Sequence, residues 1–351
     1  MPAPTRTLQS RRPGASAYHQ PGYRLEAVGR EEAEDERLDL LEQLFDPGSR
    51  RRRELVRPGW RVLEVGAGRG SMAAWLAERV GPAGQVVATD IDCRYLERLD
   101  LPNLQVVQHN IVEDPVDVLG PGSFDLVCSR LVLFWLADRQ QEAVRQMVRC
   151  LRPGGWLIDE DGDWGVPGPV DPSHPRYARY HQAFNGGGWW AARGYDPYFG
   201  RKLPALFERC GLRGIDHQAT ARVVRGGSPW AQWWQQSLDF IRGWGLASGT
   251  AEAPEGQHQA LTAPCTDPSA WITTELLHAC TGRRPANKQR HRAYPADGPT
   301  DFHLTSGQAD KGRKQRRDMA ADAAPEDTPA LVQTVDLWPP RCEAFCAPLA
   351  R

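Results

Sequence analysis

No stretch of this 351-residue chain is apolar over enough residues to cross a bilayer, and its first 30 residues carry Arg and Pro without the apolar run of a secretory signal. The expected compartment is the cytoplasm, with no membrane partner. Net charge is scarce too: 43 Lys and Arg stand against 44 Asp and Glu, a formal charge of -1 that offers nucleic acid no global attraction. The eight cysteines (Cys93, Cys128, Cys150, Cys210, Cys265, Cys280, Cys342 and Cys346) lack the close pairing of a zinc site, and only the last two stand within one helical turn. Buried thiols and no metal are expected. A G-x-S-x-G nucleophile elbow is also missing, which disfavours acyl-transfer chemistry.

The chain does have the length and composition (40% hydrophobic, 25% charged) to bury a sizeable core without disulfides or metals. Residues 1–17 read as a disordered leader and 18–55 as an N-terminal helical cover. Leu38, Leu41 and Phe45 give the cover one buried face, and Asp46-Pro47-Gly48 is expected to close the helix. From Trp60 to Trp164, β-branched runs alternate with helical stretches. Val62–Val65, Gln85–Thr89, Gln105–Gln108, Phe124–Cys128 and Trp156–Asp159 are the strands of a parallel sheet with crossover helices. Beyond Trp164 come aromatics among glycines and prolines, which either line a pocket or pack a cap. Leu212–Val224 reads as strand and Pro229–Trp244 as a helix bearing Trp230, Trp233, Trp234 and Phe240. Residues 285–351 have few large apolar side chains and read as a low-order tail, its basic run at 311–317 a solvated charge cluster.

The sharpest local signal is Glu64-Val65-Gly66-Ala67-Gly68-Arg69-Gly70-Ser71, an apolar strand running through alternating glycines into a helix. Glycine lets backbone approach a ligand closely at a strand's carboxyl end. A dinucleotide site needs its third glycine one residue later, where Ser71 stands, and Glu64 would repel a pyrophosphate but attract an amine. The spacing favours a cationic ligand. Asp90 ends the next strand, where a carboxylate accepts both hydroxyls of a ribose, and Asp92 is the alternative acid. The third strand ends at His109-Asn110-Ile111, an edge where an adenine ring can lie on Ile111 and donate to the Asn110 side chain, unless Asn110 is a plain turn former.

With Leu151-Arg152-Pro153-Gly154-Gly155 before the fifth strand, these motifs make the chain resemble the class I S-adenosylmethionine-dependent methyltransferases of the bacterial small-molecule type. The likeness is densest from about Arg57 to Trp164 and does not reach the tail. It implies a doubly wound, Rossmann-like α/β fold with a seven-stranded sheet whose last strand is antiparallel, the candidate being Trp271–Cys280. The methyltransferase domain would span 56–284, its core 57–164 and a helical, aromatic cap 165–284. S-adenosyl-L-methionine is the implied cofactor, held by Glu64, Gly66, Ala67, Gly68, Gly70, Asp90, Ile91, Asn110, Ile111 and Ser129. Asn110 departs from the aspartate the family often has there.

The acceptor is expected over the sheet's carboxyl edge, bounded by Ser129 and Arg130 after the fourth strand and by Glu160, Asp161, Asp163 and Trp164 after the fifth, with Tyr18, His19 and Tyr23 closing it from the N-terminal cover and Arg130 either anchoring an acidic acceptor or pairing locally. If a general base takes part, the candidates are His19, His181 and Asp163, and for each alone a structural or solvated role is the favoured alternative. The expected activity is in-line methyl transfer to an O, N or C atom of a small molecule by a monomer or homodimer. Three rivals stand beside it. A protein of this fold can use the cofactor for a non-methylating reaction. A nucleic-acid methyltransferase is disfavoured by the charge balance and by Ser129-Arg130-Leu131-Val132 in place of a base-binding turn. A nicotinamide-dependent oxidoreductase is disfavoured by the glycine spacing.

Overall fold

The computed structural model describes residues 31–185, 196–247 and 255–286. The leader with Tyr18, His19 and Tyr23, and the tail from 287 with its basic run and Cys342 and Cys346, lie outside the described residues. All described residues fall within one compact unit of the chain, 1–293.

In chain order the elements are α1 (Glu31–Arg52), β1 (Arg61–Val65), α2 (Ser71–Val80), β2 (Gln85–Asp90), β3 (Leu104–Gln108), β4 (Phe124–Arg130), α3 (Gln140–Cys150), β5 (Leu151–Asp163), β6 (Gly168–Pro169), α4 (Tyr177–Asn185), α5 (Leu203–Arg209), β7 (Arg213–Thr220), β8 (Val223–Arg225), α6 (Pro229–Ala247), α7 (Glu255–Thr266), β9 (Trp271–Thr273) and β10 (Leu276–Arg283). The expected strands and crossover helices of the core all form. The apolar runs of β1, β2 and β4 are buried on both faces, as parallel strands covered by helices must be.

Seven strands make one sheet in the order β3-β2-β1-β4-β5-β10-β7. The first five are mutually parallel, and β10 runs antiparallel to both β5 and β7. Strand order reverses between β1 and β4, so a crevice opens at the carboxyl ends there.

Three expectations change. The last sheet strand is Leu276–Arg283, whereas Trp271–Thr273 belongs to a separate three-stranded sheet, β6-β9-β8. Leu212–Val224 likewise divides between the two sheets. The cause is one crossing point: Arg222 N–H donates to Thr274 Oγ1 and Thr274 N–H to the Arg222 carbonyl, both at 2.8 Å, just where each segment leaves one sheet for the other.

The third change concerns α1, which runs through Pro47 to Arg52 instead of stopping at Asp46. A proline inside a helix costs about 3 kcal/mol. Tertiary anchors offset it: Ser49 Oγ donates to Glu160 Oε2 at 2.8 Å, Arg52 reaches the same oxygen at 2.7 Å, and Arg53 pairs with the other. Proline after aspartate marks a boundary only when nothing beyond it holds the turn. Among the described residues no helix is long and apolar enough to cross a membrane.

Candidate active site at the carboxyl edge of the sheet

The glycine loop follows β1 and is shaped by packing as much as by any ligand. Gly66 sits at φ +69°, and a Cβ there would lie 2.3 Å from Val132 Cγ2. Only glycine fits. Gly66 and Ala67 donate their N–H groups to the Thr89 carbonyl at 2.8 and 3.0 Å, which ties the loop to the end of β2. Gly68, by contrast, has open space where a Cβ would be.

Asp90, half-buried at the tip of β2, accepts the Gly68 N–H at 2.9 Å and the Asp92 N–H at 3.1 Å. One bond on each oxygen leaves lone pairs for a diol. Burial pushes its carboxyl up. Glu64, 5% exposed on β1, has no hydrogen-bond partner at Oε2. Burial raises its carboxyl to about 7, against the opposing charges of Arg53 and Arg130. A buried carboxylate oxygen without a hydrogen-bond partner at the edge of a cavity can receive a cation from outside the chain.

These groups border a cavity of about 210 Å³ at the carboxyl edge. The tips of β1, β2 and β3 contribute Glu64, Gly66, Ala67, Gly68, Asp90, Ile91, Asn110 and Ile111 to its wall, with His109 and Tyr95 beside them. The remainder comes from Leu38, Leu41 and Glu42 of α1, Phe134 and Trp135 after β4, Trp164 after β5, and Trp233, Trp234, Ser237, Phe240 and Ile241 of α6. Trp164 stacks on Trp234 at 5.0 Å between ring centres and 3° between planes, and Trp233 meets Phe45 edge-on at 5.0 Å.

The sequence candidates divide sharply. Asn110 borders the cavity, but its Oδ1 already accepts the Val112 N–H at 3.0 Å and the Glu113 N–H at 3.3 Å, the signature of a turn former. Gly70 does not face the cavity; a Cβ there would strike Leu99 Cδ1 at 2.5 Å, so this glycine permits α2 to pack on its neighbours. Ser129 is buried with its hydroxyl on Asp159 and is not part of the wall. Arg130 does border the cavity, but it is paired within the chain, to Asp46 Oδ1 at 2.9 Å and Ser49 Oγ at 3.1 Å.

The two base candidates that can be located stand apart from the cavity. Asp163 is 1% exposed and accepts Arg201 Nε at 2.6 Å and the Gly165 N–H at 3.0 Å. His181 packs between Tyr177 and Tyr180, with Nε2 3.4 Å from the Pro169 carbonyl. What sequence reasoning missed are Leu38, Leu41 and Glu42 on α1 and Trp233, Ser237 and Phe240 on α6. Their helical spacing marked a buried face, and nothing in it said which cavity that face meets.

Residues 63–159 match the family model for a methyltransferase domain. The ubiquinone/menaquinone biosynthesis C-methyltransferase UbiE of Pseudomonas putida (strain GB-1) is 36% identical over 113 residues, 29% of this chain and 42% of that one. The nocamycin O-methyltransferase of Saccharothrix syringae is 35% identical over 140 residues, 37% of this chain and 46% of that one. The chain thus spans less than half the length of either curated relative. Among solved structures, phosphoethanolamine N-methyltransferase 2 of Haemonchus contortus, in complex with S-adenosyl-L-methionine, is similar with a TM-score of 0.41 and 17% identity, covering 72% of this chain and 52% of that one.

Proposed function

We propose that residues 63–159, which match the family model for a methyltransferase domain, are a domain of the class I S-adenosylmethionine-dependent family, and that this protein transfers a methyl group from S-adenosyl-L-methionine to a small molecule. The observation that carries the reading is the buried, unpartnered Glu64 oxygen beside a glycine loop and a second strand-tip carboxylate, Asp90. That pair suits an adenosine-bearing cation and suits a pyrophosphate poorly.

The residues present fit the cofactor. Glu64 would face its ammonium, Asp90 its ribose hydroxyls, and Ile91 and Ile111 the base, while Gly68 leaves room for close backbone approach. When bound, S-adenosyl-L-methionine supplies an activated methyl group on a sulfonium, open to in-line displacement. The chain's own work is then alignment and exclusion of water by the walls of α1, β5 and α6. The C- and O-methyl transfers named for the relatives support a small-molecule acceptor. We place the protein in the cytoplasm, acting as a monomer or homodimer without nucleic acid.

The test is incubation of the full chain with methyl-labelled cofactor and a metabolite extract, read by mass spectrometry for what gains a methyl. Calorimetry should show heat with S-adenosylhomocysteine and none with NADH; the reverse would sink the proposal.

A further inference from the structure

The three arginines on the cavity wall are each compensated within the chain. Arg37 pairs with Glu34 at 2.7 Å, Arg69 with Asp39 at 2.9 Å and Asp35 at 3.3 Å, and Arg130 with Asp46 at 2.9 Å. Of the acids that border the same space, Asp92 pairs with Arg94 at 2.8 Å and Glu42 lies 4.0 Å from Arg69, and Glu64 and Asp90 are taken up by the cofactor on the reading above; with the arginines paired, no free cationic side chain is left on the wall among the described residues. A carboxylate or phosphate on an acceptor would find the cationic side chains of the wall already taken.

The rest of the wall is aromatic. Trp233, Ser237, Phe240 and Ile241 stand at i, i+4, i+7 and i+8 along α6, which puts them on one face. Trp233 and Trp164 lie 5.9 Å apart between ring centres, next to the stack of Trp164 on Trp234. Indole walls favour flat conjugated molecules through area and quadrupole alike. Within this apolar setting Ser237 is 6% exposed and its Oγ has no hydrogen-bond partner; Trp233 Nε1, 2% exposed as a residue, has none either. Buried polar atoms left alone in a native fold call for an explanation, and a ligand oxygen supplies one.

We infer that the acceptor is a flat, uncharged, conjugated molecule bearing a hydroxyl or carbonyl oxygen, selected by α6, with the Trp164, Trp233 and Trp234 wall taking its rings and Ser237 its oxygen. This rests on the reading of the cavity as a methyl-transfer site. It narrows the acceptor class and assigns α6 the discrimination.

The experiment is calorimetric titration of the full chain, saturated with S-adenosylhomocysteine, with 2-naphthol and separately with 2-naphthoate. Naphthol is expected to bind at least tenfold more tightly. Ser237→Ala should weaken naphthol about fivefold, Ser237→Thr should restore it, and Trp233→Phe should weaken it further, all with S-adenosylhomocysteine affinity retained and, for the two Ser237 variants, with the melting temperature retained as well. Equal or tighter binding of naphthoate, or no binding of naphthol to protein that does take S-adenosylhomocysteine, overturns the inference and leaves the methyltransferase reading standing. An unchanged naphthol affinity in Ser237→Ala overturns the role of Ser237. Absence of S-adenosylhomocysteine binding overturns both together.

Discussion

Two sets of carboxylates sit along the same edge of one sheet and meet opposite fates. On β1 and β2, Glu64 and Asp90 border the cavity, one with an unpartnered oxygen and the other bound only by backbone N–H groups. On β5, Asp159, Glu160, Asp161 and Asp163 are all fully buried and none borders the cavity: Glu160 is answered by Arg52 and Arg53, Asp161 by the N–H groups of Leu133 and Phe134, Asp163 by Arg201, and Asp159 by Ser129 on one oxygen while its Oδ2 has no hydrogen-bond partner. Residue type and strand position are shared. What separates the two sets is access: Glu64 and Asp90 border the cavity and the β5 acids do not, so only the first pair can meet a ligand from outside the chain.

The contrast breaks most visibly at Glu160. Burial opposes its ionisation, but Arg53 and Arg52 outweigh that and hold its carboxyl at about 2. Glu160→Gln leaves two guanidinium groups without their counter-charge, one of them, Arg53, only 1% exposed. A loss of about 3–5 kcal/mol in urea unfolding is expected. At Asp90 the effect moves from stability to binding. Asp90→Ala should weaken S-adenosylhomocysteine about a hundredfold in calorimetry, since charge-assisted hydrogen bonds contribute about 1.5–3 kcal/mol each. A Glu160→Gln protein with the parent's urea stability, or an Asp90→Ala protein with unaltered affinity, would erase the distinction.

Acidity sharpens it further. Glu64 titrates near 7 in the free protein against an ordinary 4.5, with burial as the cause. An arriving ammonium favours the carboxylate, so affinity for S-adenosylhomocysteine should rise up to about tenfold per pH unit below 7 and level off above about 8. Stability runs the other way. Because the folded value lies above the unfolded one, this group leaves the free protein most stable below about pH 4.5 and costs stability as pH climbs through 7. Glu64→Gln should flatten both profiles, measured by calorimetry and by melting across pH 5–8.

Much of the core was legible because its signals are local. Alternating β-branched runs gave five strands, and the glycine loop with Asp90 marked one wall of the cavity, where the backbone ties the tips of β1 and β2 together. The opposite wall of the cavity was not legible, since it is made by helices more than a hundred residues apart: Leu41 and Glu42 on α1, Ser237 and Phe240 on α6. Helical spacing told which face is buried and could not tell against what. Charge misled in the same way. Arg130 and Asp163 looked available in a one-dimensional reading, and their partners, Asp46 and Arg201, come from elements that only the tertiary fold brings near.

The smallest expected effect is therefore at Asp163, and it is a clean one. A general base must reach the acceptor's proton, yet this carboxylate is absent from the cavity wall and spends its oxygens on Arg201 and the Gly165 N–H. Asp163→Asn keeps the acceptor for the Gly165 N–H and removes only the charge opposite Arg201, whose side chain is 53% exposed and well solvated. Turnover within about threefold of the parent and an unmoved pH–rate profile are expected, with a melting temperature a few degrees lower. A loss of about a hundredfold or more, the scale of a missing general base, would move Asp163 from the structural set of carboxylates into the functional one.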